Sequence, residues 1–195
     1  MKKARLEAFS DGVFAIAITL LVLNIGIPEV DYNHLSEAVI AILPKLLSYV
    51  LSFLLIGLYW IGHHFYLEHI ERVDGNLVWL NIMLLLFICL MPFPTSLLGK
   101  YPLQQLSLML YGLNLLAANF IGIAMVYYIH NNRHLTNQDY KDNFFKLQIP
   151  GFLFINVTYI IAIAFSWFYP VVSYLLYLLV MFAGIKIFVK RLNNR

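Results

Sequence analysis

The apolar residues of this chain occur in blocks of about 20, and this blocking constrains the fold more than any other feature. Blocks of about this length can cross a hydrocarbon core of roughly 30 Å as α-helices. Backbone groups in lipid must be satisfied internally, and no alternating ten-residue pattern indicates a β-barrel. Charged residues make up 12% of the chain and the mean hydropathy is +0.78, whereas a typical soluble domain is about a quarter charged. We therefore predict an all-α, polytopic membrane protein.

Breaks between the apolar blocks divide the chain into six predicted membrane helices. They form one transmembrane domain over residues 1–195, with spans at about 5–27, 45–67, 77–98, 103–130, 144–168 and 171–190. Pro28 is expected to end the first helix, and Pro92 and Pro94 to kink or close the third.

All lysines and arginines except Lys45 and Lys100 fall on the N-terminal side of the membrane. Because cytoplasmic segments are enriched in these residues, both termini are predicted to be cytoplasmic.

The start of the first predicted helix combines charge with a long apolar run. Segment 5–12 (RLEAFSDG) leads directly into the apolar body of the helix. Charges entering a membrane helix are costly and usually have a partner or an aqueous lining, so the segment is a functional candidate. At about 100° per residue, one helix face is shared by Gly12, Ile16, Thr19, Leu20 and Leu23. Asp11 is predicted to point away from that face, into the helix bundle. From periodicity alone, packing on another helix or on lipid is the favoured role of this face.

A second polar group is predicted at the cytoplasmic end of the second helix and in the third. Its members are Trp60, His63, His64 and Asn81. Buried polar side chains in a bundle need hydrogen-bond partners. We therefore expect one of the two histidines to be a buried partner of Ser10 or Asp11, and the other to face the interface. The sequence does not distinguish the two histidines.

Metal binding is the alternative role for these histidines. His64 and Glu68 are one helical turn apart and, with His63, could hold an ion in a membrane metalloenzyme, but H-E-x-x-H is absent.

The chain also lacks G-x-S-x-G, a glycine-rich phosphate loop, a basic stripe for nucleic acid and the Thr-Val-Gly-Tyr-Gly filter of ordinary potassium channels. The lone Cys89, in an apolar run, is expected to be buried. The sequence therefore indicates no enzyme, no cofactor and no nucleic-acid partner.

Four residues at the start of the first helix form an R-x-x-x-F-S-D motif: Arg5, Phe9, Ser10 and Asp11. Downstream of it come Trp60, the His63-His64 pair, Asn81 and Pro92-Phe93-Pro94. Together these residues closely resemble the prokaryotic transmembrane protein 175 family of potassium channels. The resemblance is specific over the first three helices, and the last three agree mainly in number and length.

The resemblance implies a homotetramer of six-helix subunits in a bacterial plasma membrane, with the first helix of each subunit lining a central pore. In place of a carbonyl filter, the family narrows the pore with apolar side chains. By the resemblance these are Ile16, Leu20 and Leu23, with the Thr19 hydroxyl between the first two. The same face emerged above from helix geometry. A structural role for Thr19 is the alternative, in which its hydroxyl bonds back to the carbonyl of Ala15.

The resemblance also implies an interhelical network that holds the first helix in place. Its residues are Arg5, Phe9, Ser10, Asp11, Trp60, His63, His64 and Asn81.

The leading hypothesis is a potassium-permeable channel. In this channel an apolar ring gates by dewetting and gives modest selectivity for potassium over sodium, which is the more strongly hydrated ion. The first rival hypothesis is a proton-coupled secondary transporter that uses Asp11 and a histidine of the second helix. Such transporters have inverted repeats and broken helices, neither of which is visible. A membrane metalloenzyme and a scaffold protein are the second and third rival hypotheses.

Overall fold

The computed structural model describes residues 2–26, 31–136 and 142–193, and these ranges are helical almost throughout. The α-helices are α1 Lys3–Val22, α2 Leu35–Ala41, α3 Leu43–Leu67, α4 Gly75–Leu90, α5 Pro92–Lys100, α6 Gln105–Asn131, α7 Asp142–Phe165 and α8 Pro170–Asn193. Helix α3 follows α2 after one residue, and α5 follows α4 in the same way. The helices therefore form six successive helical segments, the number that the sequence predicts.

Four stretches are long and apolar enough to cross a membrane. They are Leu35–Leu67, Gly75–Lys100, Gln105–Asn131 and Pro170–Val189. In the described part of α7, the apolar stretch Ile149–Phe165 is shorter. Helix α1 is distinguished by its charges, because Arg5, Glu7 and Asp11 lie in its first half. The chain is a multi-pass membrane protein whose first helix carries unusual charge.

The first helix ends earlier than the sequence predicts. Helix α1 stops at Val22 rather than near residue 27, and the next backbone bonds are three-residue turns, including Ile25 N–H to the Val22 carbonyl at 3.1 Å. Gly26 then adopts a φ of 67°, a left-handed conformation that costs glycine little. Pro28, which was expected to end the helix, lies outside the described residues. The turn sequence thus ends the helix before the proline is reached.

The third span is broken where its prolines begin. Met91 separates α4 from α5, and its N–H bonds the Ile88 carbonyl three residues back at 3.2 Å. Pro92 has no N–H with which to continue the helical ladder. The Pro92 carbonyl accepts a hydrogen bond from Asn24 Nδ2 at 3.3 Å. This break therefore also provides an attachment point for the chain just after α1.

Helix α1 packs against α3, α4 and α5, while α6 packs against α4, α5, α7 and α8. Small side chains allow helices to approach closely and polar side chains join them by hydrogen bonds, as is typical of membrane bundles. Ser52 of α3 is hydrogen-bonded to Tyr111 of α6 at 3.0 Å and accepts a bond from Thr95 of α5 at 2.8 Å. All three side chains are buried. These bonds join three helices within the bundle.

The connection between α3 and α4 is held against the end of α6. Ile70 and Thr136 form an isolated antiparallel bridge. Asp74 caps α4 by accepting a bond from Leu77 N–H at 2.9 Å, and its second oxygen accepts a bond from Tyr128 Oη at 2.5 Å. The same end of the bundle holds the start of α1 and the end of α3, where the polar residues singled out in the sequence lie.

Candidate functional site

Helix α1 has one buried stripe and one exposed apolar face. The buried side chains, spaced three or four residues apart, are Leu6, Ser10, Phe14, Ala17 and Leu21. On the other side of the helix, Ile16, Leu20 and Leu23 are 59%, 43% and 74% exposed. The side chains of the stripe pack α1 against the other helices of the chain. The exposed apolar face has no partner within the described part of the chain.

Three buried polar side chains join α1 to α3 and α4, and we call Ser10, His63 and Asn81 the inner triad. Asn81 Nδ2 donates to Ser10 Oγ at 3.0 Å, and Asn81 Oδ1 lies 2.6 Å from His63 Nε2. Because an amide oxygen can only accept, His63 Nε2 is the donor in this bond. Ser10 Oγ donates to the Leu6 carbonyl at 2.9 Å. The three residues are at most 2% exposed.

The inner triad sets the rotation of α1. An unpaired buried polar group costs about 1–3 kcal/mol, so turning the helix away from Asn81 would leave both Ser10 and Asn81 short of a partner. The ring of Phe14, one turn after Ser10, contacts the His63 ring with 5.5 Å between centroids. Polar and aromatic contacts thus place the same side of α1 against α3. The exposed face follows from this rotation.

A second group, the exposed row, lies on the surface beside the inner triad and comprises Asp11, Trp60, His64 and Glu68. Trp60 Nε1 donates to Asp11 Oδ1 at 2.8 Å. The Trp60 ring is stacked on His64 with 6.0 Å between centroids, and His64 Nε2 lies 3.4 Å from Glu68 Oε1. Asp11, Trp60 and His64 are exposed in the subunit. The exposed row therefore offers polar and aromatic groups to whatever covers this surface.

The structure separates residues that the sequence grouped in one network. His63 is the buried histidine and reaches Ser10 only through Asn81, while His64 belongs to the exposed row. Asp11 is exposed, so the prediction that it points into the bundle is wrong. It follows Ser10 and is therefore turned about 100° away from the buried stripe.

Arg5 and Phe9 belong to neither group. Both are exposed, and among the described residues the Arg5 side chain has no hydrogen bond or ion pair within the subunit. The eight residues predicted as one network therefore do not form a single network within one subunit.

Thr19 lies on the exposed face, and its hydroxyl is already engaged with the backbone. Its Oγ1 donates to the Ile16 carbonyl at 2.9 Å. The alternative structural role had assigned this bond to the Ala15 carbonyl, so the partner is three residues back rather than four. The hydroxyl oxygen keeps acceptor capacity that faces away from the bundle.

Two further residues hold α1 and were not singled out in the sequence. Asn24 bonds the Pro92 carbonyl, and Phe14 contacts the His63 ring. An amide just after an apolar run was the available signal for Asn24, whereas nothing local distinguishes Phe14 from its apolar neighbours. Cys89 is exposed, so the expectation that it is buried is wrong.

The histidines do not converge on a metal site. In the described part of the chain, no group of three or more His, Cys, Asp or Glu side chains could hold an ion. His63 Nε2 is bonded to Asn81 inside the bundle, while His64 pairs with Glu68 on the surface. Adjacent residues on a helix point about 100° apart, which explains why the two rings diverge.

Comparison with known proteins relates this geometry to a family. The family model described as the endosomal/lysosomal potassium channel TMEM175 matches residues 5–92, from the start of α1 to the break before α5. A protein of Chryseobacterium named as a potassium channel is 34% identical over 182 residues, which are 92% of this chain and 91% of that protein. The chain belongs to the TMEM175 family.

Other TMEM175 proteins are similar over the same helices. The crystal structure of a lysosomal potassium-selective channel TMEM175 homologue from Chamaesiphon minutus superposes with a TM-score of 0.84 at 28% identity, covering 94% of this chain and 96% of that one. The endosomal/lysosomal proton channel TMEM175 of Gallus gallus is 28% identical over 88% of this chain and 36% of its own length. The present TMEM175 chain thus shares its whole helical arrangement with a solved family member.

Proposed function

We propose that this TMEM175 chain is the subunit of a potassium-permeable channel in a bacterial plasma membrane. The observation that carries the proposal is the exposed apolar face of α1, held outward by the inner triad. The names of the bacterial relatives support potassium as the permeant ion. We further propose a homotetramer in which four copies of α1 surround the pore, because a single subunit leaves this face uncovered.

In this arrangement Ile16, Leu20 and Leu23 form three apolar layers along the pore. The steps between them are about 6 Å and 4.5 Å at 1.5 Å per residue. A narrow apolar ring can exclude water and so gate conduction. It also favours the cation that gives up hydration water at the lower cost, which is potassium rather than sodium. Selectivity from this source is modest.

Thr19 lies between the first two layers of the proposed pore. Because its hydroxyl hydrogen is donated to the Ile16 carbonyl, the oxygen lone pairs are free to face a cation. A ring of such oxygens would replace part of the water shell of a partly dehydrated potassium ion. The backbone bond and the ion contact are thus compatible roles for one hydroxyl.

The orientation follows from charge. We place both termini in the cytoplasm, since all lysines and arginines except Lys45 and Lys100 fall on that side. The inner triad and the exposed row then lie at the cytoplasmic end of α1, and Asn24 lies at the outer end. Each end of the proposed pore helix has its own attachment to the bundle.

The transporter alternative has less support. It requires a proton relay between Asp11 and a histidine of α3, whereas Asp11 bonds Trp60 and His63 bonds Asn81. His64 approaches Asp11 only through the intervening Trp60 ring. Within the subunit, no direct bond links Asp11 to either histidine.

The test of the proposed function is ion flux in proteoliposomes that contain the purified protein. We expect potassium flux that exceeds sodium flux and rises without saturation across millimolar potassium. Protein-free liposomes are the control. Native mass spectrometry of the same preparation should give the mass of four chains. Flux that saturates and depends on a proton gradient would favour the transporter, and the absence of flux from intact tetramers would favour a scaffold.

A further inference from the structure

A cavity of about 150 Å³ lies between α3, α6, α7 and α8, apart from the exposed face of α1. Each of the four helices contributes a glycine to its wall, and these are Gly62, Gly122, Gly151 and Gly184. An added Cβ at Gly62 or Gly151 would meet no atom within 4 Å. The free space therefore extends to the backbone of α3 and α7.

Three polar side chains in the wall already have partners within the protein. Tyr59 Oη donates to the Leu115 carbonyl at 2.8 Å, and Asn119 Nδ2 donates to the Phe152 carbonyl at 3.2 Å. His63, also in the wall, is bonded to Asn81. The remaining surface is mainly aliphatic and aromatic carbon, so the chemistry of the cavity suits a hydrocarbon rather than a polar ligand.

The volume indicates the size of that hydrocarbon. An apolar cavity of about 150 Å³ stays free of water and takes a molecule of benzene size, or about six carbons. A longer ligand would have to extend out of the cavity. The opening permits this, because wall residues at its edge such as Phe65 and Ile187 are partly exposed, Ile187 to 42%.

The position of the cavity in the bundle indicates which kind of hydrocarbon would occupy it. Helices α3, α6 and α8 belong to stretches that can cross a membrane, so the lipid around the bundle is the source of hydrocarbon next to the cavity. The hydrocarbon there is phospholipid acyl chain. We propose that the cavity binds the end of one phospholipid acyl chain.

An acyl chain in this cavity would contact His63, the residue that holds Asn81 and through it Ser10 of α1. The bound lipid would thus lie directly behind the attachment of α1. The binding site itself does not depend on the proposed conduction of potassium, so the two proposals can fail independently.

The test uses a phosphatidylcholine with a diazirine near the methyl end of one acyl chain, reconstituted with the full chain. After photolysis, labelled residues are located by mass spectrometry. We expect labelling of wall residues such as Phe65 and Phe152. This labelling should saturate as the probe fraction rises, whereas labelling of lipid-facing residues elsewhere should rise in proportion. Wall labelling that is absent or does not saturate in the wild-type protein would overturn the proposal.

Cavity-filling variants provide the second arm of the test. Gly62→Leu and Gly151→Leu should each reduce wall labelling several-fold, since the new side chain grows into open space. Gly57→Leu is the matched control, because Gly57 also lies in α3, has the same open surroundings and is outside the cavity wall. It should keep wild-type labelling. Equal labelling in filled and control proteins would assign the signal to surrounding lipid only and contradict the site.

Discussion

Asn81 Nδ2 donates a 3.0 Å hydrogen bond to Ser10 Oγ, and both side chains are fully buried. This bond links α4 to the one polar residue of the buried stripe of α1. Because Asn81 also accepts from His63, one amide orients α1 against two neighbouring helices. The direction in which Ile16, Leu20 and Leu23 point therefore depends on contacts made on the far side of the same helix.

The two adjacent histidines give a direct test of the inner triad. His63→Leu removes the 2.6 Å donor to Asn81 Oδ1 and leaves that buried oxygen only the long 3.4 Å contact from Ser10 Oγ, which should destabilise the protein by about 1–3 kcal/mol. His64→Leu removes only surface contacts, the pair with Glu68 and the stacking on Trp60, for which we expect about 1 kcal/mol or less. Thermal unfolding in detergent measures both variants. Equal losses would contradict a special role of His63.

The apolar layers of α1 are tested by adding polarity. Ile16→Asn and Leu20→Asn would each place amides in the proposed narrow zone and lower its dewetting barrier. We expect faster potassium flux and weaker discrimination against sodium in proteoliposomes. Leu175→Asn is the control and should keep wild-type flux, because Leu175 is an exposed leucine of α8, 56% accessible, and not part of the face of α1. If both α1 variants keep wild-type flux, the face packs against lipid or protein and does not line the pathway.

The oxygen of Thr19 is tested by Thr19→Val, which keeps the shape of the side chain and removes the hydroxyl. If the oxygen contacts the ion, conduction should persist while the ratio of potassium to sodium flux falls about fivefold, the equivalent of about 1 kcal/mol. Loss of the bond to the Ile16 carbonyl alone should leave the ratio unchanged. Bi-ionic flux measurements separate these outcomes, and an unchanged ratio would place selectivity on the apolar layers.

Close packing of α6 is tested at Gly112. An added Cβ would clash with Tyr177 Oη and would lie 2.7 Å from Ile163 Cγ1. Because Tyr177 Oη also bonds the Leu108 carbonyl at 2.9 Å, it cannot move without loss. Gly112→Ala should therefore destabilise the fold by about 1–3 kcal/mol. Gly57→Ala, where an added Cβ meets nothing within 4 Å, should be neutral or stabilising in the same thermal assay.

The proposed orientation is tested by cysteine labelling in intact cells with a membrane-impermeant reagent. The exposed native Cys89 is first replaced by serine. Asp31→Cys and Lys100→Cys should then react from outside, whereas Glu71→Cys should react only after the cells are opened. All three positions are exposed in the structure. Labelling of the Glu71→Cys variant in intact cells would contradict the proposed orientation and indicate the opposite one.

Features that depend on one segment of the chain were predictable from the sequence. The length of each apolar block predicts a helix, and the absence of an N–H on Pro92 predicts the break observed at Met91. The grouping of Ile16, Leu20 and Leu23 on one face follows from the helical period alone. The family could also be recognised, since its motif is a local run of residues at the start of α1.

Features that depend on how helices are rotated against one another were decided only by the tertiary structure. His63 and His64 differ by about 100° on the same helix, and only the position of Asn81, on another helix, decides which ring is buried. In the same way, the burial of Ser10 turns Asp11 out to the surface, against the prediction. The sequence determined the angles between side chains within each helix. The contacts with distant helices determined the direction in which each helix faces, because those contacts alone stabilise one rotation over the others.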